Sequence, residues 1–156
     1  MTDLTHLRSD GSAHMVDVTD KAVTRREARA QAVLVTTEEV VAKIADGALP
    51  KGEALGTARL AGIMGAKQTS NLIPLCHPLP LTKLSVDLEP QGDRVRIVAT
   101  AVTNGVTGVE MEALTAANIA ALTLYDMIKA VDNRAVITDV LVLAKSGSKS
   151  GDWSRE

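Results

Sequence analysis

Phenylalanine is absent from the 156 residues, and Tyr125 and Trp153 are the only aromatic side chains. A core must therefore be built from Val, Leu, Ile, Ala and Met, and the scarcity of rings weighs against a platform that stacks single-stranded nucleic acid. Cysteine is nearly absent as well. Cys76 alone excludes an internal disulfide and any cysteine-built zinc or iron–sulfur cluster within one chain. Positive charge is not in excess either, since the net charge is −2, so an anion site has to be a local cluster. No segment offers about 18 uninterrupted apolar residues, and the polar start MTDLTHLRSDGSAH leads into no apolar run. Neither a signal peptide nor a membrane span is expected, and the expected location is cytoplasmic. His6, His14 and His77 lack metal-ligand spacing, so no protein-built metal site is expected.

Apolar residues make up 46% of the chain, and its length suits a single domain over 1–156 that buries roughly 70% of its unfolded surface. Residues 1–27 read as a mobile polar arm and 145–156 as a flexible Gly/Ser/Lys tail. Between them, Ala28 to Thr36 has the β-branched alternation of a strand. Thr36 followed by Glu39 reads as a capping box for a helix that stops at Gly47. A second helix follows Pro50-Lys51-Gly52 and runs to about Ser70; its small residues, among them Gly56, Gly62 and Gly65, predict close approach of another backbone. Pro74, Pro78 and Pro80 stiffen an extended connector from Ile73 to Leu81. Lys83 to Glu89 and Arg94 to Val102 form a hairpin around Pro90-Gln91-Gly92-Asp93. A long helix from Val109 to about Asp132 precedes a last strand, Ala135 to Ala144. The order is the split β-α-β-β-α-β pattern of ferredoxin-like α+β folds with one extra helix, which predicts a four-stranded antiparallel sheet with helices on one face.

The long helix carries the most informative charges. Leu114, Ala117, Ala121, Leu124 and Ile128 make a buried stripe at three- and four-residue spacing, and Asp126 and Lys129 are neighbours on one face. Glu112 and Asp126 differ in direction by only about 40° but lie about 21 Å apart along the axis. One small-molecule site cannot readily take both from one copy of the helix, so a site between two subunits, and hence an oligomer, is expected.

Several constellations keep two readings. Asp126 with Lys129 is either a surface ion pair or an acid/base couple, and spacing alone does not choose. Lys21, Arg25, Arg26, Lys51, Lys67, Lys145 and Lys149 are each explicable as solvated charge, but together could converge on a polyphosphate. Lys51-Gly52 at a helix start has the chemistry of an anion cradle. No Walker loop or G-x-G-x-x-G is present. Cys76 and His77, adjacent in extended chain, point to opposite sides and are poorly placed as nucleophile and base. His77 is either a ligand-contacting donor or a structural histidine.

Six segments carry a family resemblance: Met15-Val-Asp-Val-Thr19; Lys51-Gly-Glu53 with Thr57-Ala-Arg59 and Ala61-Gly-Ile63; Leu72-Ile-Pro-Leu-Cys-His-Pro78; Gly108-Val-Glu-Met-Glu-Ala-Leu-Thr-Ala116; Tyr125-Asp-Met127 with Lys129-Ala-Val131; and Lys145-Ser-Gly147 with Lys149-Ser-Gly151. From about Thr5 to Asp152 the chain resembles the cyclic pyranopterin monophosphate synthases, the molybdenum-cofactor biosynthesis protein C family. The resemblance implies a cytoplasmic lyase that converts (8S)-3′,8-cyclo-7,8-dihydroguanosine 5′-triphosphate to cyclic pyranopterin monophosphate and pyrophosphate. It also implies a homohexamer, a trimer of dimers with sites between subunits, without nucleic-acid or membrane partners. By position, Asp126 corresponds to the catalytic acid/base with Lys129 beside it. Leu75, Cys76, His77, Met111 and Glu112 correspond to substrate contacts, and Lys51, Lys67, Arg26 and Lys145 to supporting contacts, several of them to phosphate. No resident cofactor is implied, and magnesium accompanying the triphosphate stays open. One departure stands out, in that many members carry a lysine where this chain has Val106. The alternative from another class is a non-catalytic ferredoxin-like regulator that binds a nucleotide between subunits.

Overall fold

The computed structural model of the chain describes residues 5–155; residues 1–4 of the expected arm and 156 of the tail lie outside them. Strand β1 (Thr24–Val35) starts earlier than the expected Ala28. Its Ala28, Ala30, Ala32 and Leu34 alternate inward, each 1% exposed or less. The same alternation runs back to Arg26, which is 6% exposed and lies opposite the buried Thr103. Arg25 and Arg26 therefore belong to the sheet, not to the arm as expected.

Helix α1 (Glu38–Asp46) is capped by Thr37, whose hydroxyl accepts from the Val40 amide, rather than by the expected Thr36. Thr36 instead donates to the Asp132 carboxylate at 2.6 Å, a tertiary contact that no local pattern announces. Gly47, at φ 66°, closes the helix as expected. The single helix expected up to Ser70 is two, α2 (Ala54–Ala66) and the short α3 (Thr69–Leu72). At their junction the buried Thr69 hydroxyl donates to the Ala66 carbonyl and takes up an acceptor at the helix end.

Strands β2 (Leu81–Gln91) and β3 (Arg94–Gly105) form the expected hairpin, with Gly92 at φ 60° in the turn. Helix α4 (Glu110–Ile128) leads to β4 (Val136–Ser146). A two-residue strand, β5 (Trp153–Ser154), pairs with β4, placing Trp153 opposite Lys145. The antiparallel sheet has the order β2-β3-β1-β4-β5, so the expected four-stranded sheet is five-stranded. The expected flexible tail supplies the addition. The other four strands keep the ferredoxin-like arrangement β2-β3-β1-β4, with β1 and β3 side by side.

The core lies between this sheet and the helices. Ala32, Leu34, Ile97 and Ala99 from the strands meet Ala117, Ala121, Leu124 and Ile128 of α4. With no phenylalanine to fill space, the layers close by approach of small residues. Gly62 of α2 lies against α4 so tightly that an added Cβ would sit 2.9 Å from the Ala116 carbonyl oxygen. Helix α4 is thereby held on two sides, and both of its ends are fixed in direction.

Candidate active site

The C-terminal end of α4 presents Asp126 between two lysines. One carboxylate oxygen lies 2.9 Å from Lys129 Nζ and the other 3.0 Å from Lys51 Nζ. Lys129 reaches it as the next residue on the same helical face, and Lys51 arrives from the turn before α2, where Gly52 has φ 98°. The hydrogen bond from Lys129, then that from Lys51, holds the Asp126 carboxyl below the usual carboxylate range. Asp126 in turn raises the Lys129 ammonium. All three side chains are about half exposed, so these bridges contribute little to stability. The group keeps both of its readings, a surface ion-pair cluster and an acid/base couple. A carboxylate kept ionised can accept a proton, and two ammonium groups at hydrogen-bonding distance can supply one.

The N-terminal end of α4 opens on a crevice of about 400 Å³, where Met111 and Glu112 face Leu75, Cys76 and His77 of the connector. The arm forms another wall through His6, Val16 and Val18. His77 Nε2 donates to the Val16 carbonyl at 2.7 Å, which pins arm to connector. The histidine still borders the crevice, so contact with a ligand through the rest of the ring is compatible with that bond.

Glu112 is only 4% exposed, yet no other described residue gives it a hydrogen bond or an ion pair. Burial, then repulsion from Glu110, raises its carboxyl above the usual range. Burial and Glu112 also push the Cys76 thiol up, which disfavours a thiolate and agrees with discounting Cys76 as a nucleophile. Lys67, the residue closing α2, lines a recess of about 70 Å³ together with His77 and Glu112.

A third hollow, of about 760 Å³, gathers Lys21, Arg26, Lys145 and Lys149. It shares Lys21, Gly108 and Glu110 with the first crevice, so these residues stand between two adjoining hollows. Arg26 is fixed by its Nε donating to the Gly105 carbonyl at 3.1 Å. The tail, leaving β4, runs close beside β1 here: an added Cβ at Gly147 would lie 1.9 Å from the Arg25 carbonyl oxygen, so only glycine fits. The sequence-expected residues thus fall into two groups. Leu75, Cys76, His77, Met111, Glu112, Lys67, Arg26 and Lys145 gather around the start of α4, while Lys51, Asp126 and Lys129 stand at its other end. Glu110 was missed. Its signal was its place in the first helical turn beside Gly108, and it pairs with Lys145 at 3.4 Å.

The burial of Glu112, offset only in part by a hydrogen bond from its own backbone, yields a stability prediction. Its carboxyl binds a proton more tightly in the folded chain than in the unfolded one, so the contribution of this one group to stability is fully present below its unfolded-state pKa, about 4.3, and is lost as pH rises through its folded-state pKa. Glu112→Gln is expected to raise the thermal midpoint by a few degrees near neutrality, with the gap over the parent shrinking toward acid. Melting curves across pH check this; a gap that widens on acidification would contradict it.

The MoaC family matches residues 15–148. Over 154 residues, covering 99% of both chains, the sequence is 64% identical to the cyclic pyranopterin monophosphate synthase of Corynebacterium efficiens. It is 60% identical over the same span to that of Corynebacterium glutamicum, and 54% identical over the full length of both chains to that of Dinoroseobacter shibae. The motifs around both ends of α4 lie within the matched span, and the chain belongs to the MoaC family.

Proposed function

We propose that this chain is a cytoplasmic lyase that converts (8S)-3′,8-cyclo-7,8-dihydroguanosine 5′-triphosphate to cyclic pyranopterin monophosphate with release of pyrophosphate, a step of molybdenum-cofactor biosynthesis. The observation that carries this reading is the near-full-length identity to relatives named for that product. The geometry supports it with the groups the chemistry requires. Rebuilding a purine-derived ring needs proton transfers, which Asp126 performs with Lys51 and Lys129. Forming a cyclic phosphate needs cations on the departing pyrophosphate, which Arg26 and Lys145 supply. Leu75, Cys76, His77, Met111 and Glu112 hold the heterocycle, and Lys67 stands behind them.

These two sets of groups lie about 21 Å apart along one rigid helix. The separation supports a working site assembled between subunits, with the start of α4 from one protomer and the end of α4 from its neighbour; that the oligomer is a hexamer built as a trimer of dimers is what the family resemblance implies.

Incubating the purified protein with the cyclised triphosphate and assaying pyrophosphate and pterin tests the activity; no product from folded protein would overturn it. Subunit mixing tests the shared site. Asp126→Asn and Glu112→Gln chains are each expected to be inactive alone. Co-assembled at random in equal amounts, they are expected to regain roughly a quarter of the parental activity, because one site in four draws both ends from intact copies. No recovery in confirmed mixed oligomers would place the whole site in one protomer.

A further inference from the structure

Two carboxylates, Asp20 and Glu110, line the hollow that gathers Lys21, Arg26, Lys145 and Lys149, and of the two it is Glu110 that pairs with one of these cations. Its Oε1 lies 3.4 Å from Lys145 Nζ, and the two side chains are 28% and 34% exposed. At 3.4 Å the contact is longer than a hydrogen-bonded ion pair, so it is a loose one that a better anion can displace. Gly108 supplies an independent observation. Its φ is not left-handed, so the backbone conformation itself does not demand glycine. What the missing side chain provides is room, because a Cβ there would lie 2.3 Å from Glu110 Oε2. The carboxylate thus occupies space beside the lysine that a side chain at position 108 would contest, between the two adjoining hollows.

We propose that Glu110 is a positioning residue that competes with bound phosphate for Lys145 and so hastens the departure of pyrophosphate. This rests on the reading of the cationic hollow as the pyrophosphate site. With the hollow empty, Glu110 neutralises Lys145 and keeps it from being an indiscriminate anion trap. When a phosphate group arrives, Lys145 turns to it and the displaced carboxylate stands as a like charge nearby. Once the bond to the rest of the substrate is broken, the same repulsion favours release, and the ion pair re-forms.

The test is calorimetric titration of the purified oligomer with inorganic pyrophosphate, alongside steady-state kinetics, for the parent, Glu110→Gln and Gly108→Ala. Glu110→Gln removes the charge. Gly108→Ala keeps it but pushes the flexible end of the side chain aside. Both are expected to bind pyrophosphate more tightly, by up to about fivefold, with stronger product inhibition, lower KM and lower kcat. A residue that merely held Lys145 in place would give the opposite, weaker binding and a raised KM. Unchanged or weaker binding in Glu110→Gln, with a parent that binds pyrophosphate and turns over, overturns the inference and leaves the proposed function standing. A folded parent that neither binds pyrophosphate nor turns over overturns both. Should Gly108→Ala fail to fold, Glu110→Gln decides alone.

Discussion

Replacing Asp126 with Asn is expected to lower turnover by about 10²- to 10⁴-fold, the usual contribution of a general acid or base, while the oligomer and its melting temperature stay close to those of the parent. The two halves of this expectation have separate grounds. The carboxylate is about half exposed and its partners are lysines on flexible stems, so the fold loses little when the charge goes. Chemistry loses much, since an amide cannot accept the proton and no longer holds two ammonium groups at 2.9 and 3.0 Å. Because Lys129 and Lys51 depress its pKa, the parent Asp126 stays ionised in mild acid. A fall in parental activity on mild acidification must then originate in another group. Single-turnover kinetics with circular dichroism checks the substitution, and a variant retaining a tenth or more of parental turnover would remove Asp126 from the proton-transfer step.

Gly62→Val is expected to destabilise the fold by about 3 kcal/mol, the upper end for overpacking a well-filled core. Helix propensity works the other way, by a few tenths of a kcal/mol as valine replaces glycine. Sterics win because the obstacle is backbone. An added Cβ meets the Ala116 carbonyl oxygen at 2.9 Å, with Ala120 Cβ and Val86 Cγ2 both at 3.2 Å, and none of these is the end of a long flexible side chain. Relief requires α2 and α4 to separate, and α4 carries Glu112 near one end and Asp126 near the other. Activity should therefore fall together with stability, unlike Asp126→Asn. Chemical denaturation measures the loss; a stability within 1 kcal/mol of the parent would mean that the helices yield more easily than their packing implies.

How much of this was legible in the sequence depended on whether the deciding contact was local. The stripe Leu114, Ala117, Ala121, Leu124 and Ile128 marked the packed side of α4, and Gly47 marked the end of α1, because each follows from its immediate neighbours. The cap of α1 was misplaced by one residue because Thr36 and Thr37 are equally suited, and only the distant Asp132 draws Thr36 away. Arg26 looked like part of a polar arm, yet the alternation of Ala28, Ala30 and Ala32 extends back to it and could have placed it in β1. The fifth strand was not readable: two residues beyond a Gly/Ser run carry no periodicity, and their pairing is set by β4. At the candidate site, both ends of α4 were foreseen from residue type and family motif. The Glu110–Lys145 contact was not, since it joins residues far apart in the chain.

Trp153, the one indole in a chain with a single tyrosine, sits on the outermost strand, 43% exposed, with the Arg155 guanidinium 5.1 Å from its ring centroid. Intrinsic fluorescence therefore reports the docking of the tail and is nearly blind to the alanine- and valine-built interior. A denaturation curve followed by emission should track release of β5, while far-ultraviolet dichroism tracks the helices, and the two need not coincide.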